Sequence, residues 1–157
     1  MTRARGASHF PCSLRQRMTS IFPTAQDAES AFYDALERAD LDAMMAVWAD
    51  DEEIVCVHPG WPRLTGQDQV REGWRRIFKG PRMRVQVSQQ VAVSAMMVAV
   101  HSVHETVTLA GEKGTRGPVV ATNVYLRTAA GWRMIAHHGS LVPGEPQAPR
   151  DAPQTLH

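Results

Sequence analysis

The histidine before Pro59 is the residue whose type and position could most directly carry chemistry. His58 ends a short apolar stretch and alternates with Ile54 and Cys56, so the three side chains belong to one face of a strand. If that face is turned to the core, the imidazole points into the interior, where it can act as a general base near neutral pH. A histidine that hydrogen-bonds the turn after Pro59 explains the same position. Both interpretations stay open.

Three further side chains are candidate ligand contacts. Trp61 follows the same turn and forms either the apolar wall of a pocket or a packing contact between the loop and the next helix. Asn123 and His138 lie on two segments joined by a tight connection at residues 129–131, which predicts cross-strand neighbours about 5–8 Å apart. His138 shares strand parity with Met134, so we expect it to face inward. A core histidine satisfied by a backbone carbonyl or by Asn123 is the alternative.

The seven histidines do not form a metal-ligand pattern. His137 and His138 are adjacent, and His101 and His104 are three residues apart, so in strands the members of each pair leave opposite faces. We therefore predict no metal and no cofactor. His101 and Glu105 do share one strand face, which is expected to line either the deeper part of a pocket or a subunit interface.

Length and composition predict a single domain. The chain has 157 residues, of which 43% are hydrophobic and 21% charged, enough for a core without a disulfide or metal. A net charge of +1 excludes a strongly basic nucleic-acid binder, and no apolar run reaches the roughly 18 residues of a membrane span. Cys12 and Cys56 fit no disulfide framework. We expect a cytoplasmic protein with neither nucleic acid nor membrane as partner.

The ends of the chain differ in composition from its middle. The first seventeen residues contain four arginines and no acidic residue, and they lack the apolar segment of a secretory signal. Residues 1–23 are predicted to be a disordered extension, with Met18 as an alternative start. Residues 143–157 are rich in proline and are predicted to be a disordered tail. The folded domain is expected over residues 24–142.

Within the domain the apolar pattern changes from helical to strand period. Thr24 and Asp40 are predicted N-caps of two helices, and a third helix follows Gly66 and ends at Gly80. A meander of three or four long antiparallel strands completes the chain. This order predicts an α+β fold with three N-terminal helices packed on a curved, mostly antiparallel sheet. Because the strands are apolar on both faces, a second copy is expected to cover the outer face, giving a homodimer.

Three segments in this order resemble the nuclear transport factor 2-like (SnoaL-like) superfamily: LDAMMAVWADD, VCVHPGWPRLTGQDQVREGWRRIF and ATNVYLRTAAGWRMIAHHGS. The last two are most similar to small bacterial proteins akin to the association domain of calcium/calmodulin-dependent kinase II. The resemblance covers about residues 24–142. It implies a cone-shaped fold, a pocket between sheet and helices, and commonly a dimer through the outer face of the sheet. It leaves the function open, since relatives include ketosteroid isomerase, scytalone dehydratase, polyketide cyclases and non-catalytic association modules.

The catalytic residues of ketosteroid isomerase are not carried over by this resemblance. That enzyme combines a carboxylate base with an oxyanion hole formed by a tyrosine and a protonated aspartic acid. In this sequence His58 matches the place of the base, and Phe32 matches the place of the tyrosine, with Tyr33 beside it. The strand Pro118–Thr128 contains no aspartate, and Asn123 is the nearest polar residue. Steroid isomerisation by the same residues is therefore excluded.

Two functions from different classes remain. The first is a homodimer whose cone holds a small apolar molecule contacted by His58, Trp61, Asn123 and His138. If that protein is catalytic, His58 is the expected base of a proton transfer or a hydration–dehydration that needs no cofactor. The second is a non-catalytic association module that dimerises or docks a partner through the sheet. An open cavity on which His58 and Asn123 converge favours the first function. A cone filled by core side chains favours the second, the candidates being Met44, Met45, Trp48 and Trp74.

Overall fold

Three helices lie against a six-stranded sheet in the computed structural model, which describes residues 20–142. The helices are α1 (Ala25–Arg38), α2 (Leu41–Val47) and α3 (Gly66–Phe78). The strands are β1 (Val55–Val57), β2 (Leu64–Thr65), β3 (Met83–Ser94), β4 (Val98–Leu109), β5 (Arg116–Thr128) and β6 (Gly131–Leu141). Their order in the sheet is β2-β1-β6-β5-β4-β3, with β1 and β6 parallel and every other pair antiparallel. The predicted α+β architecture is confirmed.

Local sequence explains where the first two helices begin. The side chain of Thr24 accepts a hydrogen bond from the backbone N–H of Asp27, and the carboxylate of Asp27 accepts one from the backbone of Thr24. This reciprocal arrangement satisfies two amides that the first helical turn leaves without partners. At the start of α2 only the one-way bond is present, in which the carboxylate of Asp40 accepts from the backbone N–H of Ala43. Both N-caps agree with the sequence-based prediction.

The segment before α1 is part of the domain. Phe22 is buried and pairs with Gly131 at the start of β6, and the N–H of Trp132 donates to the carbonyl of Phe22 at 2.8 Å. The guanidinium of Arg133 lies over the Phe22 ring, 4.9 Å from its centroid. The disordered extension predicted for residues 1–23 is therefore wrong for residues 20–23. Residues 1–19 and the predicted tail, 143–157, lie outside the described residues.

Irregularities in the ladders decide which side chains face the helices. The pairing register shifts between Glu105 and Val107 of β4 and again between Val124 and Tyr125 of β5. An extra residue bends a strand and moves the side chains beyond it to the opposite face. In β6 the extra residue is Ile135, because Val124 pairs with Ala136 whereas Tyr125 pairs with Met134.

The core lies between the helices and the inner face of the sheet. Large buried members are contributed by α1, α2, α3, β5, β6 and the segment before β1: Phe32, Met44, Trp74, Tyr125, Met134 and Ile54. No helix within residues 20–142 is long and apolar enough to cross a membrane.

Candidate functional site

A cavity of about 350 Å³ lies beneath α1 and α3, on the inner face of the sheet. We call it the inner cavity. Most of its wall is apolar, and its titratable side chains are those of His58, Glu105, Arg116 and His137. Such a chamber suits a compact, mostly apolar ligand that is oriented by a few polar groups. A shallower groove of about 640 Å³ runs outside it along α3, where the carboxylate of Glu72 is already paired with arginines of the same helix.

His58 faces the inner cavity from the end of β1. Its side chain is buried together with Ile54 and Cys56, so the inward direction predicted from strand parity is confirmed. The backbone carbonyl of His58 accepts the turn hydrogen bond from the N–H of Trp61 at 2.9 Å. The turn is therefore closed by the backbone of His58 and not by its imidazole. The imidazole Nε2 lies 3.6 Å from Sγ of Cys56.

Burial controls the charge of His58. The ring stands edge-to-face with the indoles of Trp74, at 4.5 Å between centroids, and Trp61, at 5.3 Å. Loss of water around the ring lowers the pKa of His58 to about 4, so the imidazole is neutral at pH 7. Trp61 is 37% exposed and also lines the inner cavity, so its indole forms a wall at the border with solvent.

The expected pair of Asn123 and His138 is replaced by Asn123 and His137. His138 is exposed on the outer face, so the prediction that it points into the cone is wrong. The extra residue Ile135 causes the difference, because it reverses the alternation along β6 and turns His137 inward. Asn123 pairs with His137 across the strands, and Nδ1 of His137 lies 2.7 Å from Oδ1 of Asn123. Asn123 is fully buried behind the cavity wall and does not line it.

A buried carboxylate from α1 organises the polar groups behind the wall. Oε2 of Glu29 accepts from Nδ1 of His101 at 3.0 Å, from Nδ2 of Asn123 at 3.2 Å and from the hydroxyl of Tyr125 at 3.2 Å. The other carboxylate oxygen accepts from the amide of Gln90. Four donors on one carboxylate compensate for its removal from water.

A second carboxyl group lies on the wall itself. Glu105 lines the inner cavity, and the hydroxyl of Tyr33 donates to its Oε1 at 2.7 Å. Burial raises the pKa of Glu105, and the nearby charge of Glu29 adds to the effect, although the hydrogen bond from Tyr33 opposes it. His101 and Glu105 were expected at either a pocket or a subunit interface. In the structure both side chains are buried on the inner side of the sheet.

Three residues of this arrangement were absent from the predicted site: Glu29, Tyr33 and His137. One sequence signal pointed to Glu29, since it lies four residues after Ala25 and three before Phe32, on the apolar stripe of α1. A carboxylate on that stripe is buried and requires partners. Among residues 20–142, no group of three or more histidine, cysteine, aspartate or glutamate side chains is placed to hold a metal ion.

A family model for the SnoaL-like domain matches residues 26–144, more than half of the chain. The chain belongs to the SnoaL-like domain family. This SnoaL-like protein is similar to a proposed calcium/calmodulin-dependent protein kinase type II association domain from Thiobacillus denitrificans, which has a crystal structure. The two sequences are 42% identical, and the match covers 79% of this chain and 99% of the relative, with a TM-score of 0.75. The resemblance inferred from the three sequence segments is confirmed.

Two further structures place the protein in the NTF2-like group. A proposed dehydratase of the NTF2-like family from Streptomyces avermitilis is 30% identical in sequence. The match covers 74% of this chain and 92% of the relative, with a TM-score of 0.69. An NTF2-like protein of unknown function from Pseudomonas putida is 19% identical in sequence and has the same fold. The match covers 73% of this chain and 82% of the relative, with a TM-score of 0.66. No curated protein matches the chain.

Proposed function

We propose that this SnoaL-like protein binds a small, mostly apolar molecule in the inner cavity and catalyses a cofactor-free proton transfer, most specifically a dehydration. The observation that carries the proposal is that His58 and Glu105 both line the inner cavity, whose wall is mostly apolar. The relative from Streptomyces avermitilis that is described as a proposed dehydratase supports the reaction class.

The protonation states of the two side chains suit a dehydration. His58 is neutral and can accept a proton from carbon, and the raised pKa of Glu105 favours its protonated form. In the proposed step the carbon–hydrogen bond breaks as its proton moves to the imidazole, a carbon–carbon double bond forms, and the hydroxyl group leaves as water with the proton of Glu105. The imidazolium then returns a proton to the carboxylate through solvent, which restores both groups.

The remaining predicted contacts take more limited roles in this proposal. Trp61 forms the solvent-side wall for the ligand, and Asn123 acts from behind the wall through His137. We propose a cytoplasmic location, where the buried thiol of Cys56 stays reduced. We also propose a homodimer through the outer face of the sheet.

A non-catalytic association module is the second candidate function. Aliphatic side chains cluster near the turn between β3 and β4, where Val91, Val93 and Met96 are each about two-thirds exposed or more. Apolar side chains in such numbers are typical of surfaces that contact another chain. The relative from Thiobacillus denitrificans, described as a proposed association domain, supports this candidate. The relative from Streptomyces avermitilis, described as a proposed dehydratase, supports catalysis.

Elimination of water from 3-hydroxycyclohexanone, a compact β-hydroxyketone, tests the proposal. The product is an enone that absorbs in the ultraviolet, so the rate is read directly. We expect the full-length protein to accelerate the reaction over buffer and His58→Gln to lose about 10²-fold or more of that acceleration. His138→Gln is the matched control, because His138 is exposed on the outer face.

Two results separate the candidates. Native mass spectrometry of the purified protein reports both the oligomeric state and any molecule retained in the cavity. A homodimer with no acceleration of the elimination and no retained or added small molecule would leave the association module as the function. Equal activity of the wild type and His58→Gln would show that His58 is not the base of the reaction.

A further inference from the structure

The amide of Asn123 has one possible orientation. One side of the amide faces Oε2 of Glu29 and the hydroxyl oxygen of Tyr33, each at 3.2 Å. The carboxylate oxygen of Glu29 only accepts hydrogen bonds, so the group facing it must be the NH₂ of Asn123. Tyr33 donates its own proton to Glu105, so its hydroxyl oxygen accepts from the same NH₂. Oδ1 of Asn123 is therefore the atom that faces His137.

This orientation fixes the tautomer of His137. Oδ1 of Asn123 is an acceptor and lies 2.7 Å from Nδ1 of His137, so Nδ1 must carry the proton. A neutral ring with its proton on Nδ1 has a lone pair on Nε2. His137 lines the inner cavity, and because its Nδ1 is bonded to the buried Asn123, Nε2 is the ring nitrogen left for a ligand there.

We propose that Nε2 of His137 is a fixed hydrogen-bond acceptor in the inner cavity, set by Glu29 through Asn123, and that it selects ligands carrying a hydroxyl group at that point. The proposal rests on the proposed function, because it assumes that the cavity takes a small molecule. It assigns Glu29 and Asn123 as positioning residues. His58 remains the base, so the two histidines perform different tasks in one cavity.

The surroundings of His137 keep the ring uncharged. Phe32 and Trp74 lie 5.2 Å and 6.2 Å from the ring centroid, on α1 and α3, and His58 lies 6.2 Å away at the end of β1. Burial lowers the pKa of His137 to about 3, with smaller contributions from His58 and His138. No carboxylate of the described residues is hydrogen-bonded to this ring to favour the imidazolium form.

Nitrogen NMR of the full-length protein tests the tautomer directly. A long-range ¹H–¹⁵N correlation spectrum of uniformly ¹⁵N-labelled protein at pH 7 should show Nδ1 of His137 as a protonated nitrogen and Nε2 as an unprotonated one. His137→Gln assigns the signals by their disappearance, and His58→Gln should leave them in place. A proton on Nε2, or a charged ring, overturns the proposal.

Asn123→Leu tests the origin of the tautomer. Leucine has nearly the size of asparagine but offers no acceptor to Nδ1, so we expect a substantial fraction of His137 to move its proton to Nε2. If the folded variant keeps the proton on Nδ1, Asn123 is not the residue that sets it, and the proposal is wrong on that point. If the variant fails to fold, the wild-type spectrum alone decides.

Two aromatic probes test the ligand preference. 2-Naphthol carries a hydroxyl group where 2-methylnaphthalene carries a methyl group, and binding of either is followed by quenching of tryptophan fluorescence. One additional hydrogen bond predicts that the wild type binds 2-naphthol about three- to tenfold more tightly. His137→Phe should abolish this preference, and His138→Phe should retain it.

The possible failures are distinguishable. A hydroxyl preference that persists in His137→Phe overturns the assignment of Nε2 as the acceptor, while cavity binding itself stands. If neither probe binds the wild type, the ligand preference is overturned together with small-molecule binding in the cavity, and the nitrogen spectrum still decides whether His137 holds its proton on Nδ1.

Discussion

The carboxylate of Glu29 and the imidazole of His101 are 3.0 Å apart, although 72 residues separate them in the chain, and both side chains are at least 96% buried. A carboxylate this deep is costly unless hydrogen bonds replace its water. Asn123, Tyr125 and Gln90 supply three further donors. The contact therefore connects helix α1 to strands β3, β4 and β5 through one group.

Removing this carboxylate should destabilise the fold strongly. Glu29→Ala removes the shared acceptor of three buried donors, on His101, Asn123 and Tyr125, and we expect it to lower the free energy of unfolding by about 3–5 kcal/mol. Urea denaturation followed by circular dichroism measures the effect. Asp34→Ala is the matched control on the same helix, since its ion pair with Arg38 is largely exposed and contributes at most about 0.5 kcal/mol. Similar losses in the two variants would contradict a central role for Glu29.

Features that depend on neighbours in sequence were predictable here. Thr24 and Asp40 cap their helices through bonds that reach only three residues ahead. The inward direction of His58 follows from Ile54 and Cys56, which lie four and two residues before it, because the short strand β1 between Ile54 and His58 has no shift in pairing register. Over such short distances the periods of helix and strand have no room to drift.

Features that depend on distant partners were not predictable. The alternation that assigned His138 to the inner face holds along β6 only up to Ile135, and the extra residue there is defined by the pairing with β5. The acceptor role of Glu29 likewise depends on donors from three strands far along the chain. The sequence alone does not show where the pairing of β5 and β6 shifts or which donors reach Glu29. The predicted site therefore contained His138 in place of His137.

At Gly131 the backbone of the segment before α1 comes close to the sheet. A Cβ at this position would lie 2.7 Å from the carbonyl oxygen of Phe22, and the backbone has a φ of +92°. We expect Gly131→Ala to lower the free energy of unfolding by about 2–4 kcal/mol, from backbone strain together with the clash.

Gly111→Ala separates the two causes. Gly111 has a similar φ of +86°, but a Cβ there meets no atom within 4 Å, so the variant experiences only the strain, about 1–2 kcal/mol. The difference between the variants, measured by urea denaturation, reports the packing of residues 20–23 on β6. Equal effects would mean that the segment moves away without cost and is not part of the stable domain.

Acidification should destabilise the protein through its buried histidines. The pKa is lowered to about 3 in His137 and to about 4 in His58, against about 6.5 in the unfolded chain. Below pH 6.5 the unfolded state therefore binds more protons than the folded state, and stability falls as the pH falls toward about 4. Each histidine should contribute about 1.4 kcal/mol per pH unit, or about 2 kcal/mol between pH 6.5 and pH 5.

Single substitutions isolate the contribution of one histidine. Urea unfolding at pH 7, 6 and 5 should give His137→Gln a pH slope shallower than that of the wild type by about 1.4 kcal/mol per unit below pH 6.5. Glu105 acts in the opposite direction, since the stabilisation from its raised pKa is lost as the pH rises, but it is common to both proteins and cancels in the comparison. His138→Gln, which changes the exposed neighbour, should keep the wild-type slope. If His137→Gln also keeps it, the ring of His137 is not held neutral in the fold.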